Sequence, residues 1–331
     1  MDNTIKSVFL NHKSALLYSA AKSGDQNLAH LLLDQCQADP NTKDIRRFTP
    51  LFEASQNGHA EVVQLLIRYG ADVNKDCEIE VQDENRLLGH NEGATSSFHY
   101  VTPLHIAVMH KQLETAKILI ENGAEVNVDV GYRSGFTPLF SAVNEKLFEI
   151  AKLLIQNGAE INSEERELTL LQIAIDDKDL NMVKLLVENG ANTHQLLKHG
   201  YTHLYFATWR GNLEVIKFLT DSGANICQKT KDGNLPIHGF IDCWKSDRDE
   251  NSSMKILQIL TTPETVNSIY TTYHKRLTTL GLAAENGLLQ VVKFLLDNGA
   301  IPYETDLLAS KNEQTIELLK NEIEIRKSKM I

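Results

Sequence analysis

The amino-acid sequence predicts an all-α solenoid of about eight to nine helix–turn–helix repeats joined by hairpin loops. The first observation is a phrase that returns along the chain. It reads FTPLFEASQNGHAEVVQLLIRYGADVN at 48–74, and similar phrases follow at 101–127 and 136–162. The second observation is the spacing, which is close to 33 residues. Each copy has one apolar face that is too small to bury itself, so neighbouring copies must stack.

The repeats are aligned on an opening Thr, or its equivalent, and on a closing Gly-Ala. They form one array, residues 1–331, with repeats at about 14–46, 47–74, 100–127, 135–162, 167–194, 200–227, 232–267, 276–302 and 305–323. Two segments exceed the repeat length and are interpreted as insertions, 75–99 and 245–253. The copy that begins near residue 232 is degenerate, and we expect Asn234 at its Thr position.

Each repeat is predicted to contain two helices. Apolar residues return at helical spacing after the Thr, a polar or glycine break follows, and a second apolar stripe ends at a glycine such as Gly70. A Thr such as Thr49 can cap the first helix with its hydroxyl, and Pro50 suits the first turn, where no amide donor is needed. Gly70 suits the left-handed position that ends the second helix.

The TPLH-like opening, the helix pair and the closing NGAEVN resemble the ankyrin repeat over residues 14–320, which is nearly the whole chain. The resemblance implies a stack of helix pairs with hairpin loops on one side and no chemistry of its own. It also implies that the hairpin tips and the inner helices form a concave face that binds proteins. We therefore expect a non-catalytic protein-interaction scaffold.

Composition agrees with this class. The net charge of −11 argues against non-specific binding of nucleic acid, which requires a basic surface. No apolar run approaches the length of a membrane span, and the N-terminus lacks the apolar region of a secretory signal peptide. The four cysteines include no CxxC pair, which favours a reducing cytosol over a disulfide framework. We expect a protein partner, no cofactor and no small-molecule substrate.

The resemblance places partner contacts at the residues just before each Thr and at the end of the first helix. The candidate partner-binding residues are Phe48, Phe98, Met109, His110, Arg133, Phe136, Arg166, His199, Tyr201, Trp209 and Arg210. Tyr201, Trp209 and Arg210 belong to the residue types that are most enriched at binding hot spots. The alternative is structural: Trp209 packs against a neighbouring repeat or loop, and the phenylalanines pack between adjacent hairpins.

The insertion at 75–99 is acidic, and its CEIEV segment alternates like a short strand. An extended hairpin and a mobile solvated loop are the two alternatives. Because the insertion lies outside the repeat register, we expect the array to fold without it. The insertion at 245–253 is charged and serine-rich, and is predicted to be a loop.

Catalysis and metal binding are the competing hypotheses. Cys77 or Cys243 with a histidine elsewhere could form a nucleophilic pair, and a regulatory or toxin-like enzyme could carry its activity in the insertions. The insertions are too short for a catalytic domain, so no catalytic residue is assigned. Although His99, His105 and His110 could mimic a metal cluster, His105 occupies the TPLH position, where the family's histidine bonds the local backbone. No metal site is expected.

The cellular setting is predicted from weaker features. The divergent array and the tail NEIEIRKSKMI resemble ankyrin proteins that intracellular bacteria secrete into the host cytosol as effectors. The alternative is a cytoplasmic adaptor of the ordinary eukaryotic kind. Both place the protein in a cytosol.

Overall fold

Helix pairs account for most of the structure, a computed structural model that describes residues 3–81, 97–129, 136–162, 168–197, 200–244, 249–272 and 274–329. The chain divides into two units, Met1–Arg166 and Glu167–Ile331. Within the described residues, no helix combines the length and the apolar composition that crossing a bilayer requires.

The described part of the first unit consists of helix pairs and one β-hairpin. Its elements are α1 (Asn3–Ser23), α2 (Gln26–Asp34), α3 (Pro50–Asn57), α4 (Ala60–Arg68), β1 (Cys77–Val81), β2 (Ser97–Val101), α5 (Pro103–Met109), α6 (Leu113–Glu121), α7 (Pro138–Asn144) and α8 (Phe148–Gln156). First helices pack on first helices and second helices on second helices. The leucine of each TPL motif, Leu51, Leu104 and Leu139, is therefore buried, which stabilises the stack by about 2 kcal/mol for each side chain.

The second unit repeats the arrangement with one short extra helix. Its described elements are α9 (Leu170–Asp176), α10 (Leu180–Glu188), α11 (His203–Arg210), α12 (Leu213–Asp221), α13 (Pro236–Asp242), α14 (Glu250–Leu260), α15 (Pro263–Val266), β3 (Ile269–Thr271), β4 (Arg276–Thr278), α16 (Thr279–Glu285), α17 (Leu289–Asp297), α18 (Glu304–Ala309) and α19 (Glu313–Lys329). Strands β3 and β4 pair antiparallel.

The opening threonines cap the first helices, as predicted. Thr49 Oγ1 accepts a hydrogen bond from the Phe52 amide at 3.1 Å, and Thr202 Oγ1 accepts one from the Tyr205 amide at 2.9 Å. Pro50 occupies the first turn of α3. Each cap satisfies one of the amides that a helix start leaves without an intrahelical acceptor.

The closing asparagines tie each loop to the next. The Asn41 side chain donates to the Gly70 carbonyl at 2.9 Å and accepts from the Asp72 amide at 2.8 Å. Asn74 makes the equivalent pair of bonds to the loop that begins at Gly123. Gly70 has φ 88°, a left-handed conformation that glycine adopts without a Cβ clash. Adjacent repeats are thus held in register by backbone-directed hydrogen bonds.

His105 has the structural role predicted for it. It is buried, its Nε2 donates to the Val128 carbonyl at 2.9 Å, and its Nδ1 lies 2.7 Å from Thr102 Oγ1. Because a carbonyl only accepts, the Nε2–H tautomer is present and Nδ1 accepts the threonine hydroxyl. Burial lowers the pKa of His105 from its ordinary 6.5 to about 4.

The insertion at 75–99 begins and ends as a β-hairpin. Strand β1 pairs antiparallel with β2, and Cys77 lies opposite Val101. Cys77 and Val101 are buried in an apolar cluster with Phe52 and Ile106. Removing 75–99 would therefore take the buried side chain of Cys77 with it, and the expectation that the array folds without the insertion stays a prediction. The loop between the strands lies outside the described residues.

The degenerate repeat starts one residue later than expected. Its first helix is capped at Leu235 instead of Asn234, with Pro236 in the first turn. Leu235 has no side-chain oxygen to accept from the helix amides; His238 instead bonds in the opposite direction, because its Nδ1 accepts from the amide of the cap residue Leu235 at 3.1 Å. The motif is therefore Leu-Pro-Ile-His in the place of Thr-Pro-Leu-His.

Three predicted boundaries also differ. Part of the predicted loop 245–253 is helical, because Asp249 caps α14 by accepting from the Ser252 amide at 2.7 Å and Ser253 is buried. Helix α1 begins at Asn3, well before residue 14, and helix α19 continues to Lys329.

We expect stability to fall as the pH falls from 7.5 to 5, partly through His105. The folded pKa of His105 lies near 4 and its ordinary value is 6.5, so the unfolded chain binds the proton first and acid favours unfolding. The contribution to this loss is about 2 kcal/mol. Urea unfolding followed by circular dichroism at the two pH values measures it. His105→Phe, which copies Phe52 and Phe140 at the same repeat position, should show a smaller pH dependence, and an unchanged dependence would contradict the assignment.

Gly281→Ala should destabilise the second unit, although Gly→Ala inside an ordinary helix stabilises by about 1 kcal/mol. A Cβ at Gly281 would lie 2.6 Å from Asp306 Oδ1. Asp306 is held there by hydrogen bonds from Thr278 Oγ1 at 2.7 Å and from the Tyr303 amide at 2.9 Å. We expect a loss of about 1–2 kcal/mol in urea unfolding. The same substitution in an Asp306→Ala background should be neutral or stabilising, and equal losses in both backgrounds would refute the clash.

Candidate functional site

A cleft of about 530 Å³ opens in the second unit beside Trp209. It lies between two successive first helices, α11 and α13, and the strand β3 that precedes the next repeat. The residues that line it are Tyr201, Tyr205, Phe206, Trp209, Asp232, Asn234, Asp242, Cys243, Tyr270, Thr271 and Thr272. Its size falls in the range of ordinary ligand pockets.

Five of the eleven residues that line the cleft are aromatic. Tyr201 stacks on Tyr205 with ring centroids 5.0 Å apart, and Trp209 contacts Phe206 at 5.8 Å. Trp209 is 45% exposed, although it lies at a helix end among buried neighbours. Exposed aromatic surface of this kind is typical of protein contact sites.

Gly239 makes room for the tyrosine pair. A Cβ at Gly239 would lie 2.8 Å from Tyr205 Cζ. The ring of Tyr205 therefore occupies the space that a side chain on α13 would otherwise take, and it defines the floor of the cleft. Burial raises the pKa of the Tyr205 phenol, so the group is neutral over the physiological range.

Two carboxylates, Asp232 and Asp242, line the same cleft. The Tyr270 phenol has a raised pKa, first because of burial and then because of the charge of Asp242 and a hydrogen bond to it. The lining residues include no Lys, Arg or His. The cleft is therefore aromatic and negatively charged.

Arg210 lies at the margin of this site and joins it to the preceding repeat. Its guanidinium is 5.1 Å from the centroid of the Trp209 ring and 5.2 Å from that of Phe206, and it forms an ion pair with Asp176. Because both members of the ion pair are well exposed, it contributes little stability. Its effect is to fix the position of the Arg210 side chain beside Trp209.

The structure places the other predicted residues elsewhere. In the first unit, Phe48, Met109 and Phe136 pack, partly buried, against the apolar cluster at the base of the β1–β2 hairpin. His110 is exposed, and its Nε2 lies 3.4 Å from Gln56 Nε2. A role of these residues in partner binding stays a prediction.

Several predicted site residues cannot be placed. Arg133, Arg166, His199 and the side chain of Phe98 lie outside the described residues. The same holds for His99, which was considered as a metal ligand. Within the described ranges, no group of His, Cys, Asp and Glu side chains is arranged to hold a metal ion.

Sequence reasoning found Tyr201 and Trp209 but missed their partners on the next repeat. Asp242 lies seven residues after the helix cap at Leu235, as Trp209 does after Thr202 (202 to 209, 235 to 242). When the cap of the degenerate repeat is placed at Asn234, the repeat position equivalent to Trp209 falls on Ile241, and the carboxylate of Asp242 is not recognised as part of the site. The Leu-Pro-Ile-His phrase was the signal that could have corrected the register.

The thiols do not resemble nucleophiles. Cys77 is fully buried, and burial raises its pKa, which is the opposite of what a reactive thiolate requires. Cys243 lines the aromatic cleft and is half-buried. All four cysteines are free thiols.

Comparison with known proteins identifies the class. A family model described as "Ankyrin repeats (3 copies)" matches residues 2–78, 84–165 and 163–230, which together exceed half of the chain. The chain belongs to the ankyrin-repeat family, and the predicted fold class is confirmed. Members of this family typically act as non-catalytic scaffolds for protein–protein interaction.

Two solved structures are similar over most of the chain. The human ASB11 ankyrin repeat domain has a TM-score of 0.55 at 25% identity and covers 75% of this chain and 99% of its own. The ankyrin repeat domain of Bcl-3, described as a unique member of the IkappaB protein family, has a TM-score of 0.56 at 25% identity and covers 73% and 97%.

Curated relatives match over shorter segments. The 26S proteasome non-ATPase regulatory subunit 10 of Dictyostelium discoideum is 43% identical over 56 residues, which are 17% of this chain and 24% of that protein. Alpha-latrotoxin-Lg1a of Latrodectus geometricus is 31% identical over 134 residues, which are 40% of this chain and 8% of the toxin. The chain thus spans less than a quarter of the length of these relatives.

We expect Cys77 to resist alkylation in the folded protein. Its thiol is fully buried with a raised pKa, whereas Cys36, Cys227 and Cys243 are partly accessible. Iodoacetamide labelling followed by peptide mass spectrometry should show Cys77 reacting at least about tenfold more slowly than the others. In urea the four rates should converge. Rapid native labelling of Cys77 would instead revive the hypothesis of a nucleophile in the hairpin insertion.

Proposed function

We propose that this protein is a non-catalytic scaffold that binds a protein partner through the aromatic cleft of its second unit, with Tyr201, Trp209 and Arg210 at the centre of the contact. The observation that carries the proposal is the 45% exposure of Trp209 at the mouth of a cleft of about 530 Å³. Tryptophan is among the side chains most enriched at hot spots, and nearly half of this one is open to a partner.

The position of the cleft supports the same proposal. It is formed by the ends of first helices and by hairpin residues, the elements that line the concave partner-binding face in the ankyrin family. Arg210 lies beside Trp209, with its guanidinium 5.1 Å from the centroid of the ring, so an arginine and a tryptophan, two residue types enriched at hot spots, are adjacent on this surface.

The proposed place of action is a cytosol. Four free cysteines fit a reducing compartment. A bacterial effector that meets host proteins and an adaptor that serves its own cell are both compatible with the proposed surface, and the partner that is recovered would separate them.

Affinity capture from cell lysates tests the proposal. Trp209→Ala combined with Arg210→Ala should abolish capture of the partner, since each hot-spot residue contributes about 2 kcal/mol or more, which is about thirtyfold in affinity. The double variant should keep the helical content and the melting temperature of the wild type, because neither side chain is buried in the core.

Tyr303→Ala provides the matched control. Tyr303 is also an exposed aromatic residue of the second unit, 51% accessible, but it does not line the cleft. Capture that survives in the folded double variant, or that is lost equally in Tyr303→Ala, would sink the assignment of the contact to this cleft. In the first of these cases, the exposed positions near Phe48 and Phe136 would be tested next.

A further inference from the structure

The cleft beside Trp209 combines several aromatic rings with two carboxylates. Tyr201, Tyr205 and Trp209 come from one repeat, whereas Asp242 and Tyr270 come from the segments that follow it. An apolar side chain of a peptide would bind to the aromatic rings alone, and the two carboxylates would lose hydration without gaining an interaction. A ligand that interacts favourably with the rings and with the carboxylates is the better fit.

A positively charged group benefits from both. The face of an aromatic ring carries negative electrostatic potential, so a cation within about 6 Å of the ring centroid is attracted to it. The attraction grows when water is excluded, and cages of aromatic rings are a known means of holding organic cations. Carboxylates at the rim add a direct ionic attraction that a neutral ligand cannot use.

The protein already contains one example of this interaction at the same ring. The guanidinium of Arg210 lies over Trp209 at 5.1 Å and is ion-paired with Asp176. The paired charges cancel, so they leave the negative character of the cleft in place. Asp232 and Asp242, which also line the cleft, are contributed by the degenerate repeat.

The phenols of Tyr205 and Tyr270 stay protonated as the pH changes over the physiological range. Burial is the first cause of the raised pKa values of Tyr205 and Tyr270, and the charge of Asp242 adds to both. Both phenols therefore stay neutral, and the aromatic wall adds no charge of its own. The negative charge of the lining comes from Asp232 and Asp242.

We propose that this cleft receives a basic side chain of the protein partner, a lysine ammonium or an arginine guanidinium, between the rings of Tyr201, Tyr205, Trp209 and Tyr270 and the carboxylates of Asp232 and Asp242. The inference rests on the proposed function and names the chemistry that the partner must present. The volume of about 530 Å³ accommodates a long basic side chain together with the adjoining peptide.

A peptide library with one defined position tests the inference directly. The immobilised protein is exposed to four sublibraries of decapeptides whose central residue is Lys, Arg, norleucine or Glu and whose other positions are equal mixtures. The basic sublibraries should be retained at least about tenfold more than the norleucine sublibrary, the factor expected for a cation held by rings and carboxylates in a partly desolvated site. Norleucine has a hydrocarbon side chain similar to that of lysine but no charge, so it controls for apolar contacts. Comparing the Lys and Arg sublibraries shows whether the cleft prefers an ammonium or a guanidinium group.

Two kinds of variant locate the effect. Asp232→Asn with Asp242→Asn keeps the shape and removes the negative charge, and should reduce retention of the basic sublibraries to the norleucine level. Asp297→Asn is the matched control, because it removes one exposed carboxylate outside the cleft. Gly239→Ala leaves every charge in place but forces the Tyr205 ring out of its position, since a Cβ would lie 2.8 Å from Tyr205 Cζ, and should weaken retention as well.

Trp209 itself reports whether the probe enters the cleft. The chain has two tryptophans, and Trp244 packs on Phe240 at 5.3 Å, so Trp244→Phe leaves Trp209 as the single indole. Eluted basic peptides should change its fluorescence, and the same change should be absent with the double Asn variant. An unchanged spectrum during retention would place the peptide elsewhere and overturn the inference.

Equal retention of the Lys, Arg and norleucine sublibraries would overturn the inference. It would also be overturned if the variant with Asp232→Asn and Asp242→Asn retained the basic peptides as well as the wild type does. Either result leaves the proposed function standing if partner capture still depends on Trp209. If capture does not depend on Trp209, the proposed function fails whatever the library shows. The two failures are therefore distinguishable.

Discussion

Within each unit, the described helix pairs have an apolar face that a neighbouring pair covers, and the rest of each unit follows from that constraint. Leu51, Leu104 and Leu139 are buried because first helices pack on first helices. Stacking also requires a constant register, which the asparagine bridges supply: Asn41 and Asn74 each bond the backbone of the following loop. Stability in such a fold is a sum of repeat and interface contributions.

The segments that depart from the repeat pattern, the insertion at 75–99 and the degenerate repeat, form the β1–β2 hairpin and part of the aromatic cleft. In the first unit, the long insertion folds back as the β1–β2 hairpin and buries Cys77 against Phe52. In the second unit, the degenerate repeat lacks a threonine cap, His238 accepts from the amide of the cap residue Leu235, and Gly239 lies under the ring of Tyr205. The absence of a side chain at Gly239 leaves the space that the Tyr205 ring occupies at the floor of the cleft. A local relaxation of the repeat thus creates a candidate site without altering the stack.

The candidate site was only half predictable from the sequence. Trp209 stands out because its position in the repeat seldom carries a large aromatic residue, and the structure places it 45% exposed. Asp242 was hidden by a shift of one residue in the register of a weak repeat, and Tyr270 lies in a strand that follows a short helix no periodicity revealed. Phe48 and Phe136 looked alike as hairpin-tip residues, and only packing showed that both lie against one apolar cluster. Their contribution to partner binding is still a prediction.

The sequence by itself determined the repeat, its two helices, the threonine caps and the family, because these depend on local chemistry that recurs in phase along the chain. It also determined that His105 is structural, since the TPLH motif contains both the ring and the hydroxyl that the ring bonds. Only the tertiary structure decided which side chains meet across repeats, such as Arg210 with Asp176 and Tyr205 with Gly239. Those contacts depend on a register between neighbours that is set by packing volume, and a shift of one residue in the degenerate copy is enough to misassign the contact between Tyr205 and Gly239.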